Sequence, residues 1–219
     1  MRTSVRPYEK GNRMSELGFE QLDSFQMDVL REIGNIGAGN AATALARMLD
    51  RKIDMKVPKI KVMQFSEVSE VLGAADEMVV GILLGVQGDI TGSIMFVLDI
   101  EATRLMLNLI FARSPDTPLE FDEMNCSAIQ ELGNILAGSY LSALSTLTNL
   151  NIMPDVPSLA IDMAGAVLSV PAIAQAKASD TVLYIENEFI DGQDKVLGDL
   201  FLIPEEGSYA TLMKALGVA

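Results

Sequence analysis

The strongest constraint on the fold is that the chain is written twice. Residues Leu22–Asn40, LDSFQMDVLREIGNIGAGN, lie without a gap over Phe121–Ser139, FDEMNCSAIQELGNILAGS, at an offset of 99 residues. Asp23/Asp122, Glu32/Glu131, Gly34/Gly133, Asn35/Asn134, Ile36/Ile135, Ala38/Ala137 and Gly39/Gly138 are identical pairs. Each of these segments has helical periodicity. Downstream, each half has a short strand segment (KIKVMQF; PSLAIDM), a short helical segment (SEVSEVLGA; VPAIAQAKA) and two apolar β-rich runs joined by a Gly/Asp turn. The paired runs are MVVGILLGVQ with GSIMFVLD, turning around Gly88-Asp89, and TVLYIENEFI with KVLGDLFLIP, turning at Asp191-Gly192. An amphipathic helix closes each half (IEATRLMLNLIFA; EEGSYATLMKALG). A repeat this long exceeds a solenoid unit, so the expectation is an internal duplication about a pseudo-two-fold axis. The fold class is α/β in a loose, α+β-like sense: one mixed or antiparallel sheet of about six strands, with two long helices packed on it.

The domain expectation follows. Residues 1–16, locally basic through Arg2, Arg6, Lys10 and Arg13 in an otherwise acidic chain, read as a disordered tail. Residues 17–219 read as a single domain of two repeats, about 20–114 and 119–219.

In the first long helix Leu22, Phe25, Val29, Ile33, Ile36, Leu45 and Met48 recur at helical spacing and mark the expected buried face. In the second, Met124, Ala128, Leu132, Ile135 and Leu141 do the same. Asp23 and Asp122 are the expected N-caps. Asp28, Glu32, Asn35 and Gly39, spaced by four, three and four residues, form a second row away from that face, and Ser127, Glu131, Asn134 and Gly138 repeat it.

A helix-interior glycine costs about 1 kcal/mol relative to alanine, so Gly34, Gly37 and Gly39 need a reason. Gly39 and Gly138 would leave room beside the Asn for an approaching molecule. Gly34 and Gly133 are expected to pack closely against a neighbour. Gly37, replaced by Leu136 in the second copy, reads as the least constrained of the three.

Composition narrows the chemistry. The chain has 16 Lys+Arg against 30 Asp+Glu, a formal charge of −14, which disfavours nucleic acid and anionic lipid as partners. It has no histidine and one cysteine, Cys126, so a zinc cluster, a Ser-His-Asp triad and an internal disulfide are all excluded. No apolar run reaches the roughly 18 residues of a membrane span, and the basic leader lacks a secretory apolar segment. No membrane insertion and a cytoplasmic location are therefore expected. Gly37-Ala38-Gly39-Asn40-Ala41-Ala42 satisfies a loose dinucleotide-binding pattern, but that pattern needs a preceding strand, and DVLREI continues a helix.

An exposed Glu and Asn on one helix are ordinarily solvated surface; the same pair written twice, each followed by Gly four residues on, suggests a site. A fixed carboxamide can donate and accept hydrogen bonds at once, and so can hold a water in line with phosphorus. A neighbouring carboxylate suits a lysine that already touches the phosphoryl group. The phosphate and any metal must then arrive on another protein.

REIGNIGAGNAATALARML and QELGNILAGSYLSAL resemble the signature helices of the CheC/CheX/FliY family of chemotaxis phosphatases, with the D/S-x-x-x-E-x-x-N motif complete twice. Two complete motifs, with no evident switch-binding peptide or rotor domain, match the CheC type within it. The departures are the basic leader and Ser139 where the first copy has Asn40. The resemblance implies hydrolysis of the aspartyl phosphate on the response regulator CheY. Asn35 and Asn134 would orient the attacking water, and Glu32 and Glu131 would engage a regulator lysine. Asp28 and Ser127 fill the first motif position in a supporting role. No cofactor is expected on this chain, Mg²⁺ being supplied by the phosphorylated regulator. The resemblance also implies binding to the receptor deamidase CheD, which leaves a second possibility: a non-catalytic adaptor that binds CheD and regulates adaptation. Internal pseudosymmetry makes a monomer the expected state.

Overall fold

The computed structural model describes residues 24–174, 181–191, 194–205 and 207–217. The basic leader with the expected tail, Leu22, the cap at Asp23 and Gly192 of the second turn lie outside the described residues. Two helices of 26 residues dominate: α1 (Ser24–Leu49) and α4 (Glu123–Thr148). Their bounds differ by the repeat offset at both ends. Asp122 caps α4, its carboxylate accepting from the Asn125 N–H at 2.7 Å. Both helices stop at equivalent residues in the left-handed region, Asp50 (φ 49°) and Asn149 (φ 56°), the short polar side chains that tolerate it.

The first half continues through β1 (Asp54–Gln64), a 3-10 turn (Phe65–Glu67), α2 (Val68–Val71), β2 (Met78–Gly88), β3 (Gly92–Asp99) and α3 (Ile100–Ile110). After α4 the second half gives β4 (Ile152–Pro154), β5 (Ser158–Met163), α5 (Ala164–Ala174), β6 (Thr181–Asp191), β7 (Asp194–Pro204) and α6 (Ser208–Ala215). The expected element order is present in both halves. α5 begins before the VPAIAQAKA segment and carries Pro171 in its interior, and residues 175–178 of that segment lie outside the described residues.

Among the described residues all six strand pairings are antiparallel, in the order β1-β6-β7-β3-β2-β4, with β5 also on β2. Six strands belong to the duplicated pattern, and the short β4 is a seventh. Each repeat lends its first strand to the other: β1 pairs with β6 of the second hairpin, and β5 with β2 of the first. The two hairpins meet at the centre through β3 and β7. This exchange makes one core from two halves, neither of which has a complete sheet alone. β1 lies at a sheet edge and tolerates Pro58; its register slips between Lys56 and Lys59, opposite Asn187.

The central strands are covered on both faces and read as continuous apolar runs. On one face Ile82, Leu84, Ile94, Phe96, Leu200 and Leu202 pack under α1, α4, α3 and α6. On the other, Val79, Val97, Tyr184 and Phe201 pack with Val68 of α2 and Val167 of α5. Among the described residues no helix is long and apolar enough to cross a membrane.

This second face holds one polar cluster that was not evident in the sequence. Tyr184 Oη donates to Asp199 Oδ1 at 2.8 Å and to Glu186 Oε2 at 3.2 Å, and Glu186 and Asp199 are direct cross-strand neighbours. Burial pushes the Asp199 carboxyl up to about 6; the Tyr184 hydrogen bond opposes this, Glu186 and Asp99 add to it, and Lys59 also opposes it. A carboxyl raised in the folded chain stabilises the fold below its unfolded value, and that contribution is lost as pH rises through the folded value. Asp199→Asn is expected to flatten the fall in stability between about pH 4 and pH 6. At pH 7 the variant should be the more stable of the two, measured by urea denaturation across that range.

Candidate functional site

The helix periods place the two polar rows on the outer surface of α1 and α4. Asp28, Glu32, Asn35 and Gly39 are exposed, as are Ser127, Glu131 and Asn134, and Gly138 is partly exposed. Directly behind them Ile33 and Leu132 are fully buried, so each row is fixed to the core by the same turns that display it. With no described residue do Glu32, Asn35, Glu131 or Asn134 form a hydrogen bond or ion pair. Their polar atoms face solvent and are free to bind water or a partner.

The glycines divide by what lies beside them. A Cβ on Gly34 would meet Val57 at 3.3 Å, and one on Gly133 would meet Ile82 at 2.4 Å, so both let their helix sit down on the sheet. Gly39 and Gly138 have nothing within 4 Å and leave open space beside the Asn. Gly37 corrects the sequence reading. It is the tightest of the three in α1, because a Cβ there would lie 2.3 Å from the Tyr140 ring of α4.

That contact is the joint between the two rows. Tyr140 is buried, and its hydroxyl donates to Oδ1 of Asn187, which is itself completely buried at the β1 bulge. Asn187 Nδ2 in turn donates to the Ile185 carbonyl at 3.0 Å. Burial raises the Tyr140 phenol, which stays protonated and keeps donating. The symmetry-related positions are Leu136 and Ala41, both fully buried, so a Gly/Tyr pair on one side answers a Leu/Ala pair on the other. The trade of volumes keeps the interface filled without identical residues.

Two further features escaped sequence reasoning. Arg31 Nη1 donates to Asp28 Oδ1 at 2.8 Å on the exposed surface, whereas the second copy has Gln130 and Ser127 at these places. The first row thus carries a cation that the second lacks. Phe25, Met48 and Met124, assigned to the buried face, are exposed instead. The buried face is lined largely by small residues, Gly34, Gly37, Ala38 and Ala41 in α1, because it must approach both the sheet and α4. Large side chains were therefore a poor guide to its direction.

Chemically the rows offer a carboxylate and a carboxamide, without a nucleophile-base pair. They can orient water and bind a cation, and they need a partner to supply an electrophile.

Similarity to known proteins agrees with this geometry. A model of the CheC-like family matches residues 25–62 and again 124–161, two stretches at the repeat offset. The match runs past the helices into Val57-Pro58 and Val156-Pro157, which also align at that offset. The chain is 40% identical over 207 residues to the CheY-P phosphatase CheC of Bacillus subtilis, covering 92% of this chain and 98% of that protein. It is 30% identical over 131 residues to the flagellar motor switch phosphatase FliY of the same organism, covering 58% of this chain and 33% of FliY. Among solved structures, Thermotoga maritima FliY has the same fold, with a TM-score of 0.72 at 23% identity, covering 90% of this chain and 98% of the other. With 92% of its length matched at 40% identity in one relative and its fold shared with another, the chain belongs to the CheC-like family.

Proposed function

We propose that this chain is a phosphatase that removes the aspartyl phosphate from the chemotaxis response regulator CheY, working in the cytoplasm. The observation that carries the reading is the repetition of an exposed Glu and Asn, bonded to no described residue, beside an open Gly on two helices packed against each other. The name of the B. subtilis relative gives the substrate class.

In this reading the regulator docks over a row, and Glu32 or Glu131 pairs with a lysine beside the phosphoryl group. Asn35 or Asn134 enters the regulator's site, where its carboxamide oxygen accepts a hydrogen bond from a water and turns the water's lone pair toward phosphorus. The water oxygen bonds to phosphorus as the bond to the aspartyl oxygen breaks. The products are inorganic phosphate and the free carboxylate. Mg²⁺ comes with the regulator and balances charge on the phosphoryl oxygens. The chain's contribution is position, which is worth several kcal/mol at near-attack geometry. Asp28 supports the first row through its ion pair with Arg31; Ser127 has the corresponding place in the second.

The test is the lifetime of Mg²⁺-loaded, phosphorylated regulator with and without this protein, run beside size-exclusion chromatography with CheD. Faster loss of phosphate is expected. An unchanged lifetime together with a stable CheD complex would contradict the phosphatase reading and make the chain an adaptor.

A further inference from the structure

The exposed apolar side chains of the long helices follow the duplication. Phe25 is 63% exposed and Met124, its equivalent at the repeat offset, is 54% exposed. Each lies two helical turns before the Glu of its row, seven residues being about 20° short of two full turns. Phe25, Asp28, Glu32 and Asn35 therefore share one face, as do Met124, Ser127, Glu131 and Asn134. Single exposed hydrophobic residues are commonplace on protein surfaces. A large apolar residue at the same place at the head of two such rows is not.

We propose that Phe25 and Met124 are the apolar anchors on which the phosphorylated receiver domain of the regulator seats before the Asn reaches its phosphate. This rests on the phosphatase reading. The span from Phe25 to Asn35 is about 15 Å along the helix, while a stable interface covers roughly 800 Å² on each partner. A partner that brings phosphorus to Asn35 therefore also covers Phe25. Binding energy concentrates in a few well-buried aromatic or large apolar side chains, with polar groups around them setting register. Each row has this composition, one large apolar residue followed by a carboxylate and an amide. A second copy of this chain is the poorer occupant, since Asp28, Glu32 and Glu131 would meet a molecule of charge −14.

A second exposed apolar pair also repeats, Met48 with Leu147, each 40% exposed. It lies near the C-terminal ends of the helices, about 160° around from the Glu of each row. It supplies the control.

The experiment compares regulator dephosphorylation by the parent, F25A/M124A, F25L/M124L and M48A/L147A, with thermal melts of each. The expected result for F25A/M124A is a KM raised about tenfold, which is roughly 1.4 kcal/mol of binding, with kcat and melting temperature at parent values. F25L/M124L should recover most of the affinity, and M48A/L147A should match the parent. A parent-like KM in F25A/M124A overturns the proposal, as does an equal rise in M48A/L147A. If the parent does not hydrolyse, binding of phosphorylated regulator decides. Affinity lost only in F25A/M124A keeps the anchors and removes the phosphatase reading; no binding by the parent removes both.

Discussion

Gly37→Ala is expected to destabilise the protein by about 2 kcal/mol, while Gly39→Ala, two residues along the same helix, should stabilise it by about 0.5–1 kcal/mol. The first change places a methyl group where the Tyr140 ring already lies. That ring cannot swing away without breaking its hydrogen bond to a completely buried Asn187. Overpacking costs about 1–3 kcal/mol, and a 2.3 Å approach to a ring so held takes the upper end of that range; the better helix propensity of alanine returns about 1, which leaves a net of about 2. The second change meets no atom within 4 Å and gains the propensity alone. For a chain of this size the pair should move the melting temperature in opposite directions, by about 4–8 °C downward and about 1–4 °C upward. Differential scanning calorimetry of the two variants reads both. A Gly37→Ala protein that melts at or above the parent temperature would show that the α1–α4 joint is looser than described. Gly39→Leu adds a functional test at the same place, with stability kept and regulator turnover reduced.

Replacing both Asn35 and Asn134 by alanine is expected to reduce turnover by on the order of 100-fold or more, with the fold retained. Both side chains are exposed and make no bond with a described residue, so removing them leaves no buried group unsatisfied. Any loss of activity then belongs to the reaction. Each single variant should keep the activity of the untouched row, and the two remainders need not be equal, since only the first row carries the Arg31–Asp28 pair. Steady-state assays of the three variants, with circular dichroism to check the fold, separate this from a docking role. Loss through kcat is the signature of positioning; loss through KM alone would assign the amides to docking.

Much of this arrangement is legible in the sequence. The ungapped repeat located α1 and α4, because it carries the helical period, the cap at Asp122 and the paired Glu and Asn together, and the duplicated hairpins implied one sheet from two halves. That each polar row shares one helix face followed from its own spacing, although Phe25 and Met124, which lie on that face, were assigned to the opposite one. What stayed hidden depended on partners remote in sequence. Gly37 seemed least constrained because its counterpart is Leu136, yet the cause is Tyr140 on the other helix. The exchange of β1 and β5 between repeats is a matter of register across the sheet, which local alternation does not encode. Phe25 and Met124 read as core because large apolar residues usually are, whereas the buried face of α1 is lined largely by glycine and alanine. The Tyr184–Asp199 cluster was invisible for the same reason, since its members come from two strands that pair only in the folded sheet.

The most direct test is the single-turnover rate of phosphate release from Mg²⁺-loaded, phosphorylated regulator, at concentrations where all of it is bound by either the parent or N35A/N134A. The account predicts rapid release in the parent complex, and release at the regulator's own spontaneous rate in the equally saturated variant complex. Parent-speed release from the saturated N35A/N134A complex would contradict it, because the water would then be placed by something other than these two carboxamides.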